Sequence, residues 1–318
     1  MKTQGLVRAE AVAVVEVQNV LDTELISRWL KFAAVAEKSA TTYITCLKQL
    51  HRYFEDNEIT APTRVDLENW RDGLIESGKS ASTICLYLTA AKLFFRWLAQ
   101  EGIYPNIADH LKNRVKVDHF NHKKDALSVN QAKQLQKAVV GTSEKTLRDA
   151  AIIALLLSTG VRSIEVVRAN VADIRYIDGK PFLFVQGKGR NEKSECVLLA
   201  PKTMAAIKKY LKARGKTASN APLFVSTARR NKGERLDTQT VRKMVKANLR
   251  KIGIDTASIS CHSLRHTCAS VMIQQKEELY NVQMVLRHKN LATTMIYNNF
   301  VNRMKNRAEL SAAKVLLI

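Results

Sequence analysis

Apolar residues that recur three and four positions apart restrict what the first third of the chain can fold into. This spacing puts their side chains on one face of a helix. It predicts four helices, over residues 25–33, 42–54, 66–75 and 82–99. Pro62 lies where the third helix should begin, and Gly78 and Gly102 lie where the third and fourth should end. We therefore expect a four-helix unit whose aromatic side chains form its core.

The second part of the chain repeats this helical periodicity, interrupted by one β region. Ser128 is placed to cap a helix that runs to Val139, and a strongly apolar helix is predicted over 146–157. The sequence then predicts strands over 171–176, 182–186 and 196–199, followed by helices over 203–212, 238–252, 262–275 and 281–287. The predicted fold class is therefore mainly α with a small β-sheet.

The chain has 318 residues, which is enough for two domains. Residues 115–126 fall in a polar, basic and weakly periodic stretch that is typical of a linker. The predicted organisation is an N-terminal extension at 1–20, a helical domain at 21–114, this linker, and a second domain at 127–318. The second domain is expected to end in a tail helix.

The charge of the chain is unevenly distributed. Residues 1–120 hold 15 basic and 15 acidic side chains, whereas residues 121–318 hold 36 and 14, so the whole net charge of +22 lies in the second part. A domain this basic attracts a polyanion, and nucleic acid is the expected partner. The sequence shows neither a membrane span nor a signal peptide, and its five cysteines form no CxxC pair. We therefore expect a cytoplasmic protein with reduced thiols.

Several motifs of the second part suit phosphoryl transfer. The sequence has no acidic cluster with metal-ligand spacing and no P-loop, so we expect no metal and no nucleotide cofactor. Phosphoryl transfer without a metal needs a side-chain nucleophile, cations on the phosphate oxygens and a proton donor for the leaving oxygen. Candidates for all three occur in Thr159–Arg162 with Glu165, in Gly187–Gly189, in His262–His266, in Leu286–His288 and at Tyr297.

At these residues the chain resembles the tyrosine recombinase family, the phage-integrase-like recombinases. The family pattern is a TGxR segment, a GKG hairpin, an HxLRH box, an LGH box and a tyrosine nine residues later. Each element alone is weak, but here all five occur in order, with 23 positions from Arg265 to His288 and nine from there to Tyr297. The resemblance extends over about residues 22–300. It implies a helical core-binding domain and an α-rich catalytic domain that form a clamp around duplex DNA.

The resemblance also implies how the site works. Tyr297 would attack the scissile phosphate and remain attached to it as a 3′-phosphotyrosine. Arg162 and Arg265 would bind the non-bridging phosphate oxygens, as the planar guanidinium group is suited to do. Glu165 would orient the site as a supporting carboxylate.

The remaining implied roles concern protons. Lys188 would protonate the leaving 5′ oxygen, although Lys193 is a nearby competitor in the sequence. His262 would assist proton transfer and His288 would hydrogen-bond the phosphate. We interpret His266, which follows Arg265, as a structural histidine.

The implied partner is a double-stranded recombination site in the nucleoid, on which a tetramer forms through the C-terminal tail and exchanges strands through a Holliday junction. Two departures from the pattern, Arg287 in place of the LGH glycine and a segment 274–280 without glycine, favour an integrase or resolvase of a mobile element over the chromosome-dimer-resolution branch. A type IB topoisomerase and a non-catalytic DNA-binding regulator remain as alternative hypotheses.

Overall fold

The structure is a computed structural model that describes residues 21, 23–33, 37–115, 125–187, 192–288, 290–305, 309–310 and 313–314. The chain divides into two compact units, residues 1–119 and 120–318. The predicted N-terminal extension lies outside the described residues, as do most of the predicted linker and the tail. None of the helices in the described ranges is long and apolar enough to cross a membrane.

The first unit contains the helices that the apolar spacing predicts. They are α1 (Thr23–Phe32), α2 (Glu37–Asp56), α3 (Arg64–Glu76) and α4 (Ala81–Gln100). The aromatic side chains form the core, as expected: Trp29 meets Phe94 edge-on at 5.5 Å between ring centroids. Trp70 stacks on Tyr87. Burial of such rings against one another is what makes the amphipathic helices stable together.

The second unit is α-rich with one small sheet, as predicted. Its helices are α5 (Val129–Ala138), α6 (Glu144–Thr159), α7 (Ser163–Arg168), α8 (Pro201–Arg214), α9 (Thr238–Arg250), α10 (Cys261–Gln274), α11 (Leu279–Leu286) and α12 (Leu291–Lys305). Ser128 caps α5 as expected, since its Oγ accepts a hydrogen bond from the backbone N–H of Gln131 at 3.1 Å. The sequence patterns did not predict α7 or α12.

The sheet has three antiparallel strands in the order β1 (Ile174–Ile177), β2 (Lys180–Val185) and β3 (Glu195–Leu198). Ile174 pairs with Leu183 between β1 and β2, and Phe182 pairs with Leu198 between β2 and β3. One predicted strand began too early, because residues 171–173 form a 3₁₀ turn. There the Asp173 carboxylate accepts a hydrogen bond from the backbone N–H of Asn170 at 2.6 Å, which favours a turn over an extended chain.

Helix α6 is the central element of the second unit. It packs against α8 and α10, and its side chains Ile152 and Leu155 are fully buried. The helix ends at Gly160, which has the left-handed conformation (φ +62°) that glycine adopts without strain. The chain therefore turns sharply at this point and delivers Arg162 beside α10 and α11.

Candidate active site

The sequence-predicted site residues that the structure describes come from three segments of the second unit. Arg162 and Glu165 follow α6, His262 and Arg265 lie in the first turns of α10, and the last segment runs from the end of α11 into α12 with His288 and Tyr297. Lys188 lies outside the described residues.

Arg265 links these segments. It is 2% exposed, and its guanidinium donates to the carbonyl oxygens of Gly160, at 2.5 Å, and of Leu286. These carbonyl groups end α6 and α11, where helices have acceptors without helical partners and a partial negative charge. Burial and the neighbouring arginines lower the pKa of Arg265 to about 10, so it stays charged at neutral pH.

Glu165 is a fully buried carboxylate between two other arginines. One of its oxygens accepts from Nη1 of Arg162 at 2.9 Å. The other accepts from the backbone N–H of Arg162 at 2.7 Å and from Nη2 of Arg287 at 2.8 Å. Burial acts to raise the pKa of Glu165, but Arg287 and Arg162 outweigh it and the pKa is lowered. The ionised carboxylate therefore offsets part of the charge of this arginine cluster.

Tyr297 lies on α12 within a small apolar cluster that includes Ile273 and Leu286, and it is 3% exposed. Two histidine rings contact it: that of His266 edge-on at 5.1 Å, and that of His288 nearly parallel at 5.9 Å. Burial raises the pKa of Tyr297 above its ordinary value, while the positive charge and a hydrogen bond of Arg265 oppose this rise. The phenol is thus protonated at neutral pH and lies beside the cations that would stabilise its anion.

His288 is held by the residue three positions before Tyr297. Its Nδ1 lies 2.8 Å from Oγ1 of the buried Thr294. Burial, and then the charges of Arg265, Arg162 and Arg287, lower the pKa of His288 to about 3, so its ring is neutral at neutral pH. A neutral imidazole that bonds through one nitrogen presents the other as donor or acceptor.

The remaining candidates, His262 and Lys193, differ in their surroundings. His262 lies exposed at the start of α10, and its ring meets that of His266 at 4.7 Å. Lys193, the competitor of Lys188 in the sequence, bonds through Nζ to Oδ2 of Asp173 at 2.5 Å, with 22% of its side chain exposed. This ion pair ties the Lys193 side chain to the 3₁₀ turn that precedes β1.

The sequence patterns missed two contacts of this site. The first is that of His266, interpreted from the sequence as a structural histidine: its ring lies between His262 and Tyr297, on the face of α10 that carries the site. The spacing of four positions from His262 was the available signal. Arg287 was noted as a departure, but nothing in the sequence near it indicated its bond to Glu165, 122 positions away.

Comparison with known proteins identifies the fold and its activity. Residues 125–303 match the model of the phage integrase family, and residues 27–102 match that of the phage integrase N-terminal SAM-like domain. The chain belongs to the phage integrase family. It is a tyrosine recombinase, an enzyme that cuts and rejoins DNA at specific sites. This membership decides for the recombinase among the three hypotheses that the sequence left open.

Curated relatives of this recombinase align with most of its length. It is 27% identical to the tyrosine recombinase XerA of Pyrococcus horikoshii over 288 residues, which cover 91% of this chain and 93% of the relative. It is 31% identical to the tyrosine recombinase XerC of Thermodesulfovibrio yellowstonii over 232 residues, covering 71% and 73%.

Solved structures share the fold of this recombinase. A XerH site-specific recombinase bound to its difH substrate in a pre-cleavage complex superposes with a TM-score of 0.72, at 18% identity, over 97% of this chain and 99% of that chain. A lambda integrase dimer bound to a COC′ core site gives a TM-score of 0.65, at 18% identity, over 84% and 95%. The two-domain architecture expected from the sequence is therefore confirmed.

The turn at Gly160 generates a prediction. A Cβ atom there would lie 2.7 Å from Cδ2 of Leu286, and the left-handed backbone disfavours any side chain by about 1–2 kcal/mol. Gly160→Ala should therefore lower the melting temperature of the full chain. It should also slow DNA cleavage, because the Gly160 carbonyl that binds Arg265 would shift.

Gly253→Ala is the matched control for this change. Gly253 is also left-handed (φ +76°), but nothing lies within 4 Å of its added Cβ. Gly253→Ala should lower the stability only by the cost of a side chain in the left-handed conformation, and it should leave the rate of DNA cleavage unchanged. Equal effects of the two substitutions on melting and on cleavage would show that the contact with Leu286 does not matter.

Proposed function

We propose that Tyr297 is the nucleophile with which this recombinase cleaves DNA, and that Arg162, Arg265, Lys188, His262 and His288 form the catalytic set around it. One observation carries this proposal: the buried Tyr297 ring lies beside Arg265, which hydrogen-bonds it, and the positive charges of Arg265 and Arg162 oppose the rise in pKa that burial imposes on its hydroxyl. A tyrosine that served packing alone would gain nothing from such an environment.

In this proposal the Tyr297 oxygen forms a bond to the scissile phosphorus while the bond to the 5′ oxygen breaks. The phenol proton leaves to a neighbouring base, and the 5′ oxygen departs as a hydroxyl after taking up a proton. A 3′-phosphotyrosine remains, so the energy of the phosphodiester is conserved. Attack on it by the 5′-hydroxyl of the partner strand reverses the step and rejoins the DNA.

The arginines supply the electrostatic part of the mechanism. Arg162 and Arg265 bind the non-bridging oxygens of the phosphate and stabilise the extra negative charge of the pentavalent transition state. Glu165 supports them by fixing the guanidinium of Arg162 at 2.9 Å. Because the carbonyl groups of Gly160 and Leu286 already hold Arg265, little reorganisation is needed when the phosphate arrives.

The histidines and the lysine handle protons in this scheme. His288 is a neutral ring beside Tyr297, able to hydrogen-bond the phosphate, and His262 is an exposed ring that can exchange protons with solvent. Lys188 is the general acid for the 5′ oxygen. The ion pair of Lys193 with Asp173 supports this choice, since it removes the nearest competitor.

The proposed substrate is a double-stranded recombination site, bound by a core-binding domain at 21–114 and a catalytic domain at 127–318 that are joined by a linker at 115–126. The family matches at 27–102 and 125–303 support this division. One solved structure that shares the fold is a lambda integrase tetramer bound to a Holliday junction. We infer a similar tetramer here, docked through the C-terminal tail, that acts on DNA in the nucleoid to integrate, excise or resolve a mobile element.

Tyr297→Phe tests the nucleophile. The substitution removes the attacking oxygen and keeps the ring, so DNA binding should persist while covalent attachment is lost. Duplexes that bind the purified protein are selected from a random pool. A nick next to the mapped scissile phosphate then makes a suicide duplex that traps the adduct, which is counted on a denaturing gel. Tyr280→Phe, at an exposed tyrosine on α11, is the control and should cleave normally. An adduct formed by Tyr297→Phe would refute the proposal.

Lys188→Ala tests the general acid. The variant should cleave an ordinary suicide duplex slowly, by about 10²–10⁴-fold. The variant should regain most of the wild-type cleavage rate when sulfur replaces the scissile 5′ oxygen, because a thiolate leaves without needing a proton. Lys193→Ala should show no such rescue. Rescue of Lys193→Ala in place of Lys188→Ala would assign the proton to the other lysine.

Deletion of residues 310–318 tests the docking of the tail. The side chain of Leu310 is 57% exposed, so removal of the segment from that residue onward is expected to leave the catalytic unit folded. The shortened chain should bind a single site normally and lose the tetrameric synapse and strand exchange. Gel shifts with DNA that carries one site measure binding, and gel shifts with DNA that carries two sites measure formation of the synapse. Normal recombination, or loss of the folded state, would contradict docking through the tail.

A further inference from the structure

Arg287 occupies a backbone conformation that disfavours it. It ends α11 with φ 54° and ψ 48°, in the left-handed region that glycine enters freely and that side chains avoid. The pattern that this chain resembles has glycine at the position. A residue under such strain persists only where its surroundings hold it in place.

The contacts that hold Arg287 lead to the site. Its side chain is buried, and Nη2 donates to Oε2 of Glu165 at 2.8 Å, while Nη1 donates to the carbonyl oxygen of Val285 at 2.6 Å. Its Nε is buried with no hydrogen-bond partner in the described part of the chain. Among the described hydrogen-bond partners of the Arg287 side chain, the carboxylate of Glu165 is the charged one.

Glu165 is shared between Arg287 and a residue of the proposed catalytic set. Arg162 binds the opposite carboxylate oxygen through Nη1 at 2.9 Å, and 30% of its side chain is exposed, whereas that of Arg287 is 3% exposed. When the partly exposed Arg162 binds a phosphate through its remaining N–H groups, its charge is shared between that anion and Glu165, so it would neutralise Glu165 less well. A fully buried carboxylate without a cation is costly.

We propose that Arg287 is a positioning residue that keeps Glu165 neutralised while Arg162 engages the scissile phosphate. This inference rests on the proposed function of Arg162. It predicts that Arg287 matters for the rate of cleavage and little for the affinity for DNA, since its side chain is buried behind the arginine that meets the substrate.

Arg287→Gly is the main test. It removes the cation and also relieves the backbone strain, so a loss of activity cannot come from a poorer backbone. The single-turnover rate of adduct formation on the suicide duplex, at saturating protein, should fall by about tenfold to a hundredfold. The dissociation constant should stay unchanged. Arg287→Lys, which keeps the cation, should be faster than Arg287→Gly.

Lys276→Gly is the matched control. Lys276 follows α10, has a left-handed backbone (φ 64°) and is exposed. The substitution therefore relieves the same kind of strain, and the cation that it removes does not bind Glu165. Its rate should equal that of the unaltered chain. A wild-type rate for Arg287→Gly, an equal loss in Lys276→Gly, or equal rates of Arg287→Gly and Arg287→Lys would overturn the inference.

A double-mutant cycle separates positioning from direct contact with the phosphate. In a Glu165→Gln background the carboxylate charge is gone, and Arg287→Gly should slow cleavage no further. Two independent losses that add would mean that Arg287 acts on the phosphate itself and would overturn the positioning role. If Arg287→Gly does not fold, Arg287→Lys is compared with Arg287→Gln in the same cycle, with the same criteria.

The same assay distinguishes this inference from the proposed function. An adduct formed by Tyr297→Phe refutes the proposed function. If Tyr297→Phe forms no adduct and Arg287→Gly forms it at the wild-type rate, the proposed function stands. Only the role of Arg287 is then refuted.

Discussion

Three arginines share one buried carboxylate in the catalytic unit, and the site depends on this arrangement. Arg162 and Arg287 bind Glu165 directly, and Arg265 lies close enough for their charges to lower its own pKa. Such a cluster would repel itself in a low-dielectric interior. One carboxylate offsets only part of the repulsion, so the site keeps an excess of positive charge. A phosphate dianion in the transition state would offset the rest, which is why this arrangement suits phosphoryl transfer.

Carbonyl groups at two helix ends offset part of the remaining positive charge of the arginines. The guanidinium of Arg265 donates hydrogen bonds to the carbonyl groups of Gly160 and Leu286 at the ends of α6 and α11, where such groups lack helical partners. Both helices end at left-handed residues, Gly160 and Arg287, that turn the chain away after a single residue. The backbone thereby fixes the arginine without using up its charge, and the helix packing of the unit determines where the charge lies.

Tyr297, the proposed nucleophile, is subject to two opposing effects on its pKa. Burial raises the pKa of Tyr297 and keeps its hydroxyl protonated, while the arginines favour its anion. The rings of His266 and His288 fix the phenol from two sides. A phosphate bound in the proposed way would bring negative charge next to the neutral His288 and raise its pKa.

The sequence by itself determined the helical core, the small sheet and the order of the motifs. These depend on local periodicity and on residue types such as the glycine at 160, whose conformational demands are expressed within a few positions. It could not determine that Lys193 pairs with Asp173, or that Arg287 binds Glu165. Charged side chains far apart in sequence meet only when helices pack, and periodicity carries no information about which ends come together. Tertiary structure alone decided which cations are committed to structure and which surround the tyrosine.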